Sequence, residues 1–174
     1  MPFLAIIIGF VLLIISILFG ASLYSAIIGA PFLVTPKKAI KEIFEAAQIK
    51  QGSRFYDLGA GNARALILAE KEYGAYAVGF ELAPLVWIFG RLNMYIRNTK
   101  NVRLYCKNFY KQNLSDADVI FCFLSIHAMA RLEPKFKKEL RPGAKIISYS
   151  FSLRGWTPKK VIEGYPGKLY LYEV

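Results

Sequence analysis

The chain has 174 residues, of which 55% are hydrophobic, and its 23 lysine and arginine residues against 12 aspartate and glutamate residues give a formal net charge of +11. This length suits one domain, and the basic excess favours anionic partners such as lipid head groups, nucleic acid or an acidic protein surface. A single histidine and two cysteines without CxxC spacing, Cys106 and Cys122, argue against a metal site, and both cysteines are predicted to be buried thiols.

The N-terminal segment differs sharply from the remainder of the chain. The first 36 residues contain no charged side chain, and residues 3–28 are almost continuously apolar. Because this run exceeds the roughly 20 residues that cross a bilayer core, we expect residues 1–30 to form a transmembrane anchor. A cleavable signal peptide would have a basic start and a shorter apolar region, and a buried helix is the other alternative. Lys37, Lys38 and Lys41 follow, so the positive-inside rule predicts a single-pass membrane protein with its main domain on the cytoplasmic or equivalent side.

Small residues recur in the second half of this anchor. Ala21, Ser25 and Gly29 are spaced four apart, a pattern that lets helices pack closely in lipid. The spacing is compatible with a homo-oligomer formed through the anchor. It is equally compatible with small residues scattered along an anchor that does not pack on another helix.

Residues 31–51 are predicted to form a hinge and a capped amphipathic helix. Thr35 suits the N-cap position and Pro36 the first helical position. An apolar stripe with helical spacing follows, formed by Ile40, Ile43, Phe44 and Ala47. This helix either packs on the main domain in the ordinary way or also closes over a ligand bound by the next motif.

A glycine motif opens the main domain, for which we assign residues 52–174. A short apolar run reaches Asp57 and is followed by Gly59 and Gly61, which predicts a strand that turns into a helix around a ligand. The dinucleotide fingerprint would need a small residue where this chain has Arg64, whereas the small residue here is Ala63. The pattern resembles motif I of the class I (seven-strand) S-adenosylmethionine-dependent methyltransferases. In that family the glycines let the backbone pass the methionine half of the cofactor, and the acid orients its amino group.

An acidic residue follows at the end of the predicted second strand, residues 77–81. Glu81 lies 20 residues after Gly61, the distance that a strand-helix-strand unit requires, and an acid there can accept hydrogen bonds from both ribose hydroxyls. An isolated glutamate is otherwise often a solvated loop residue.

The third strand, residues 102–106, follows a helix that begins at Pro84. Asn108 comes next, where methyltransferases of this class often carry an acid that bonds the adenine amino group. The side-chain carbonyl of Asn108 can accept the same hydrogen bond. Phe109 or Tyr110 would then either pack on adenine or belong to the core.

The rest of the chain predicts the remainder of an α/β, Rossmann-like seven-strand sheet with helices on both faces. Residues 118–124 form an apolar strand buried on both faces, residues 145–150 a fifth strand, and the C-terminal residues a hairpin. His127 emerges at the same sheet edge as the motifs above, but a lone histidine after a strand is more often structural, so we assign no catalytic residue.

Six features occur in an order more specific than any one of them: an apolar N-terminal segment, PFLVTP, DLGAG, GFEL, LRPG and GWTP. Together they resemble the membrane-anchored protein-lysine methyltransferases that act on the c-type subunit of ATP synthase and on the adenine nucleotide translocase, with smaller prokaryotic relatives. The resemblance covers essentially the whole chain. It implies S-adenosyl-L-methionine as cofactor and a lysine of a membrane-associated protein as acceptor. This chain departs from the pattern at Asn62, Ala63 and Asn108, where an acid, a glycine and an aspartate are usual.

The predicted site combines motif residues with residues carried over by position. The predicted cofactor contacts are Thr35, Asp57, Gly59, Ala60, Gly61, Arg64, Glu81, Leu82, Asn108 and Phe109. No metal ligand is expected.

Two other functions are compatible with the sequence. The same cofactor could serve methylation of a lipid or quinone, or the chain could be a non-catalytic, membrane-tethered basic module. Nucleic acid is not the partner that we expect, and its binding would show a steep salt dependence.

Overall fold

The computed structural model describes residues 2–28, 37–163 and 167–174. Its helices and strands in chain order are α1 (Pro2–Ile28), α2 (Lys37–Ala46), β1 (Arg54–Leu58), α3 (Arg64–Tyr73), β2 (Tyr76–Glu81), α4 (Pro84–Ile96), β3 (Val102–Cys106), β4 (Val119–Cys122), α5 (Ile126–Glu139), β5 (Lys145–Tyr149), β6 (Lys160–Ile162) and β7 (Leu169–Glu173). A 3-10 helix, Phe109–Lys111, lies between β3 and β4.

The seven strands form one sheet in the order β3-β2-β1-β4-β5-β7-β6. Neighbours among β1 to β5 run parallel, and β7 runs antiparallel to both β5 and β6. The predicted α/β, Rossmann-like seven-strand sheet is therefore confirmed, including the C-terminal hairpin. The strand order reverses at β1, where parallel sheets of this kind open a crevice beyond the carboxyl ends of their strands.

Helices cover both faces of the sheet. One core cluster joins the sheet to α2, α3 and α4 through residues such as Phe44, Leu66 and Met94. The other joins it to α5 through residues such as Met129 and Phe136. Both clusters follow from helical stripes of apolar residues packed on apolar strands.

Two details differ from the sequence-based expectation. The fourth strand covers Val119–Cys122 rather than residues 118–124, and the carboxylate of Asp118 instead accepts a hydrogen bond from the backbone N–H of Arg54 at 2.8 Å. Cys122 is buried, but the prediction of a buried thiol is wrong for Cys106, which is exposed. The reason is topological, since Cys106 is the last residue of β3, an edge strand of the sheet.

Helix α1 stands apart from both core clusters. Its segment Phe3–Gly20 has a mean hydropathy of 3.1 with no part buried. Within the described residues it is the one helix long and apolar enough to cross a membrane, a criterion that a signal sequence also meets. Two predictions concern parts of the chain that the structure does not describe: the helix cap formed by Thr35 and Pro36, and the packing of Ala21, Ser25 and Gly29 between helices.

Candidate functional site

A buried acidic side chain lies on the central strand β1. Asp57 is 3% exposed, and no hydrogen bond to its carboxyl is found within the described part of the chain. Burial, and secondarily the charge of Glu81, raises the pKa of Asp57 from 3.8 to about 8. A cationic ligand group next to this buried carboxyl would favour its ionised form, so the site suits a ligand with a positive charge at this point.

The turn after β1 has the backbone geometry that its glycines predicted. Gly59 and Gly61 have φ values of 88° and 55°, and the N–H groups of Gly59 and Ala60 both donate to the carbonyl oxygen of Phe80. A Cβ on Gly59 would lie 2.9 Å from the side chain of Leu124. A side chain on Gly59 would therefore both adopt a strained φ and crowd Leu124.

Ala63 occupies the position where the resembling family usually has glycine. Its φ is 63°, in the left-handed region, and it is the N-cap of α3. For a residue with a Cβ this conformation costs roughly 1–2 kcal/mol. Glycine is usual at this position because it adopts a positive φ without strain. This chain forms the turn with alanine, at the cost of some backbone strain.

Glu81, at the end of β2, fixes the glycine turn as well as facing the crevice. Its Oε2 accepts from the N–H of Gly61 at 3.0 Å, and its Oε1 accepts from the N–H of Ala83 at 2.8 Å. Burial raises the pKa of Glu81, against these backbone hydrogen bonds, which lower it. Sequence reasoning assigned Glu81 to a ribose and missed this contact with Gly61. Each carboxylate oxygen retains a further lone pair for a hydroxyl.

The end of β3 brings a further group of residues to this edge. The Oδ1 atom of Asn108 accepts from the N–H of Tyr110 at 2.9 Å and caps the 3-10 helix. Phe109 is 6% exposed within the α5-side core, so little of its ring is open to a ligand. Leu82 is half-buried, and its carbonyl oxygen lies 4.0 Å from the thiol of Cys106. Burial, followed by the charge of Glu81, raises the pKa of Cys106, and sequence analysis had not placed this cysteine at the site.

Arg64 lies beside a different opening. It is exposed at the start of α3 and lines a cavity of about 790 Å³ between α2, α3 and α4. The other lining residues include Asn62, Phe89 and Arg97 but neither Asp57 nor Glu81. Arg64 therefore lies at a different opening from Asp57 and Glu81. The remaining candidate, Thr35, lies outside the described residues.

No described residue forms a catalytic base paired with a second group at this edge. Ser125 caps α5 by accepting from the N–H of Ala128, and His127 is exposed on the first turn. Tyr149 is 3% exposed, and Trp156 packs on Tyr172 beside α5. Among the described residues no group of acidic, histidine or cysteine side chains could hold a metal ion.

The residues present fit the cofactor that the resemblance implies. Asp57 offers a carboxyl to which none of the described residues donates, and Glu81 offers carboxylate oxygens at the neighbouring strand end. Gly59 and Gly61 keep side chains out of the turn between them. This set matches an ammonium group, a pair of hydroxyls and a ligand that passes close to backbone.

The sequence and the fold of this chain are similar to those of known methyltransferases. Residues 57–160 match the family model described as the ANTKMT methyltransferase domain. A protein-lysine N-methyltransferase from Saccharolobus islandicus is 33% identical over 155 residues, covering 83% of this chain and 93% of that protein. The human lysine N-methyltransferase of the c-type subunit of ATP synthase is 31% identical over 133 residues, and this alignment covers 75% of this chain but 56% of the human protein.

A further relative and a solved structure extend the comparison. The mouse adenine nucleotide translocase lysine N-methyltransferase is 26% identical over 83% of this chain and 63% of its own length. The chain thus spans between half and two thirds of these mammalian relatives. An RNA methyltransferase from Salinibacter ruber, solved with S-adenosyl-L-homocysteine, superposes with a TM-score of 0.78 at 25% identity, over 81% of this chain and 93% of that one.

Proposed function

The chain belongs to the family of the ANTKMT methyltransferase domain and is an S-adenosylmethionine-dependent methyltransferase, and from this premise we propose that it methylates a lysine of a membrane-associated protein. The observation that carries the proposal is the buried Asp57 beside the glycine turn, whose carboxyl accepts no hydrogen bond from a described residue, in a chain 33% identical to a protein-lysine N-methyltransferase. The membrane-associated acceptor is supported by the apolar helix α1 and by the mammalian relatives' names.

Five of the candidate residues have a role in holding the cofactor under this proposal. Asp57 pairs with its amino group, Glu81 accepts from its ribose hydroxyls, and Asn108 accepts from its adenine amino group. Gly59 and Gly61 let the backbone approach the methionine half. The bound cofactor supplies a methyl group on a cationic sulfur, so what remains for the protein is to present the acceptor amine in line with it.

The acceptor amine must be neutral to attack. A free lysine has a pKa of ~10.4, and desolvation beside a positive charge lowers it, so alignment and water exclusion replace a strong base. The strand ends support this reading, because Ser125 is used as a helix cap and His127 is exposed. The proposal therefore assigns no general base to this chain.

Helix α1 holds the enzyme at its substrate under the same proposal. It anchors the chain in a bilayer, and Lys37, Lys38 and Lys41 keep the methyltransferase domain on the cytoplasmic or equivalent side. The exposure of α1 and its mean hydropathy of 3.1 over Phe3–Gly20 support an anchor. Tethering raises the effective concentration of a membrane-borne acceptor without any new contact.

A labelling experiment tests the acceptor. The purified full chain is reconstituted in vesicles with membranes from the source cell and methyl-labelled S-adenosylmethionine, and labelled species are identified by mass spectrometry. We expect label on a lysine of a membrane protein, and none with Gly61→Arg, which fills the glycine turn. Label on a lipid, a quinone or an RNA with no modified lysine would overturn the lysine assignment while leaving methyl transfer intact.

A further inference from the structure

Helix α4 is apolar on the side that faces away from the domain. Its inner side packs on the sheet through Gly90 and Met94. The opposite side, here called the outer face of α4, carries Ile88, Phe89, Leu92, Tyr95 and Ile96, which are 45%, 64%, 51%, 84% and 68% exposed. Phe89 lies at the margin of this face, where it also borders the cavity between α2, α3 and α4. The water-facing side of a surface helix is normally polar, and a helix that is hydrophobic all round is normally buried in protein or lipid.

No described part of the chain covers this outer face. Helix α1 approaches α4 to within 8 Å between Cα atoms, yet the five side chains of the outer face remain exposed beside it. Contiguous apolar patches on a protein surface usually mark a site of interaction with a protein or a membrane.

The charges around the outer face indicate which partner. Residues 82–115 contain six lysine and arginine residues and no aspartate or glutamate. Arg91 and Arg97 are exposed on α4 and at its C-cap, and Lys100 follows. Among the described residues, Glu72 is the one acidic residue that lines the cavity bordered by Phe89 and Arg97, and Lys37, Arg64 and Lys71 line it too, so basic residues predominate there. An apolar helix face flanked by an excess of basic residues is typical of helices that lie in the head-group region of anionic bilayers.

We propose that the outer face of α4 inserts into the surface of the anionic bilayer in which α1 is anchored, so that the domain contacts the membrane at a second place. This inference rests on the membrane anchoring proposed above and extends it to the methyltransferase domain. A second copy of this chain or the acceptor protein would not require this excess of basic residues, whereas an anionic head-group layer favours it.

The same helix contacts the candidate cofactor turn on its inner side. The side-chain amide of Asn93 donates to the carbonyl oxygen of Asn62 at 2.9 Å, and a Cβ on Gly90 would lie 2.9 Å from the carbonyl oxygen of Gly61. Insertion of the outer face therefore holds the glycine turn about one helix diameter, ~10 Å, from the membrane surface. A lysine near the membrane surface of an integral protein is the kind of acceptor that this placement serves.

Fluorescence quenching in vesicles tests the proposal with the full chain. Phe89→Trp adds an indole to the outer face of α4, and Val161→Trp adds one to the edge strand β6 as the matched control, since Val161 is also exposed at 41%. Wild type, with Trp87 and Trp156, gives the baseline. Each protein is reconstituted in anionic phosphatidylglycerol vesicles whose acyl chains are brominated, and bromine quenches indole only at close range.

We expect loss of most of the emission added by Phe89→Trp and none of that added by Val161→Trp. The loss should shrink in zwitterionic phosphatidylcholine vesicles and in the variant that also carries Arg91→Glu and Arg97→Glu. Vesicle-bound protein whose Phe89→Trp emission is no more quenched than that of Val161→Trp would overturn the inference, and equal quenching in all lipids would overturn its electrostatic part. Protein that floats free of every vesicle would instead defeat the anchoring proposal, so the two failures are distinguishable.

Discussion

Replacing the buried carboxyl of β1 by its amide tests the electrostatics of the site most directly. In the cofactor-free protein, burial and the charge of Glu81 raise the pKa of Asp57 from 3.8 to about 8. The folded state therefore holds a proton that the unfolded state has released between these two values. The free energy of unfolding should be highest below pH 4 as far as this group is concerned, and should fall as the pH rises towards 8.

The size of this effect follows from the two pKa values. At 1.36 kcal/mol for each pH unit, the interval from 3.8 to about 8 corresponds to roughly 6 kcal/mol. This value is a ceiling, because water entry and relaxation lower the cost of a buried ion. Asp57→Asn cannot ionise, so its stability should match wild type near pH 4 and exceed it by several kcal/mol above pH 8. Glu81, whose pKa is also raised, leaves a residual slope of the same sign in the variant.

Asp57→Asn should weaken cofactor binding although it raises the free energy of unfolding. The amino group of the cofactor favours ionised Asp57, so wild type should release nearly one proton on binding at pH 7, and Asp57→Asn should release almost none. Loss of a charge-assisted hydrogen bond of ~1.5–3 kcal/mol predicts roughly 10- to 100-fold weaker binding. Urea unfolding in neutral detergent at several pH values, and calorimetry in buffers of different ionisation enthalpy, measure both. A variant equal to wild type in affinity and in pH dependence would refute the assignment of Asp57.

Four other changes test the remaining assignments. Gly61→Arg should abolish cofactor binding measured by calorimetry, because φ is 55° there and the side chain enters the turn; retained affinity would contradict the placement of the cofactor. Glu81→Ala should weaken binding roughly 10- to 100-fold, since it removes acceptors and frees the N–H of Gly61, and unchanged affinity would speak against the ribose role. Deleting residues 1–29 should preserve cofactor affinity but slow methylation of a membrane-borne acceptor roughly a hundredfold through lost effective concentration; equal rates would exclude tethering. His127→Ala should keep the rate of methyl transfer within about tenfold, whereas a loss of about a thousandfold with intact cofactor binding would show that His127 is the missing general base.

Much of the architecture was predictable from local pattern. Apolar stripes with helical spacing, apolar strand runs and turn residues each specify a helix, strand or turn from residues that are close in the sequence. The seven-strand sheet predicted from these patterns is confirmed by the structure. The meeting of the glycine turn and Glu81 at one sheet edge was predicted from spacing, since a strand-helix-strand unit brings residues about 20 apart to the same edge. Their roles as cofactor contacts rest on the resemblance and stay a prediction. The extreme apolarity of the first helix is likewise a property of composition.

Only the tertiary structure decided how these residues act on one another. The hydrogen bond from Gly61 to Glu81 and the raised pKa of Asp57 both arise across two adjacent strands, where distance and burial depend on packing rather than on sequence separation. The exposure of Cys106 followed from its place on an edge strand. Helix α4 is the clearest case, because its residues are apolar on nearly every side. The spacing of its apolar residues therefore does not distinguish the buried side from the exposed side. In the structure the buried side is the one that carries Gly90, because the absence of a side chain there permits close approach to the glycine turn.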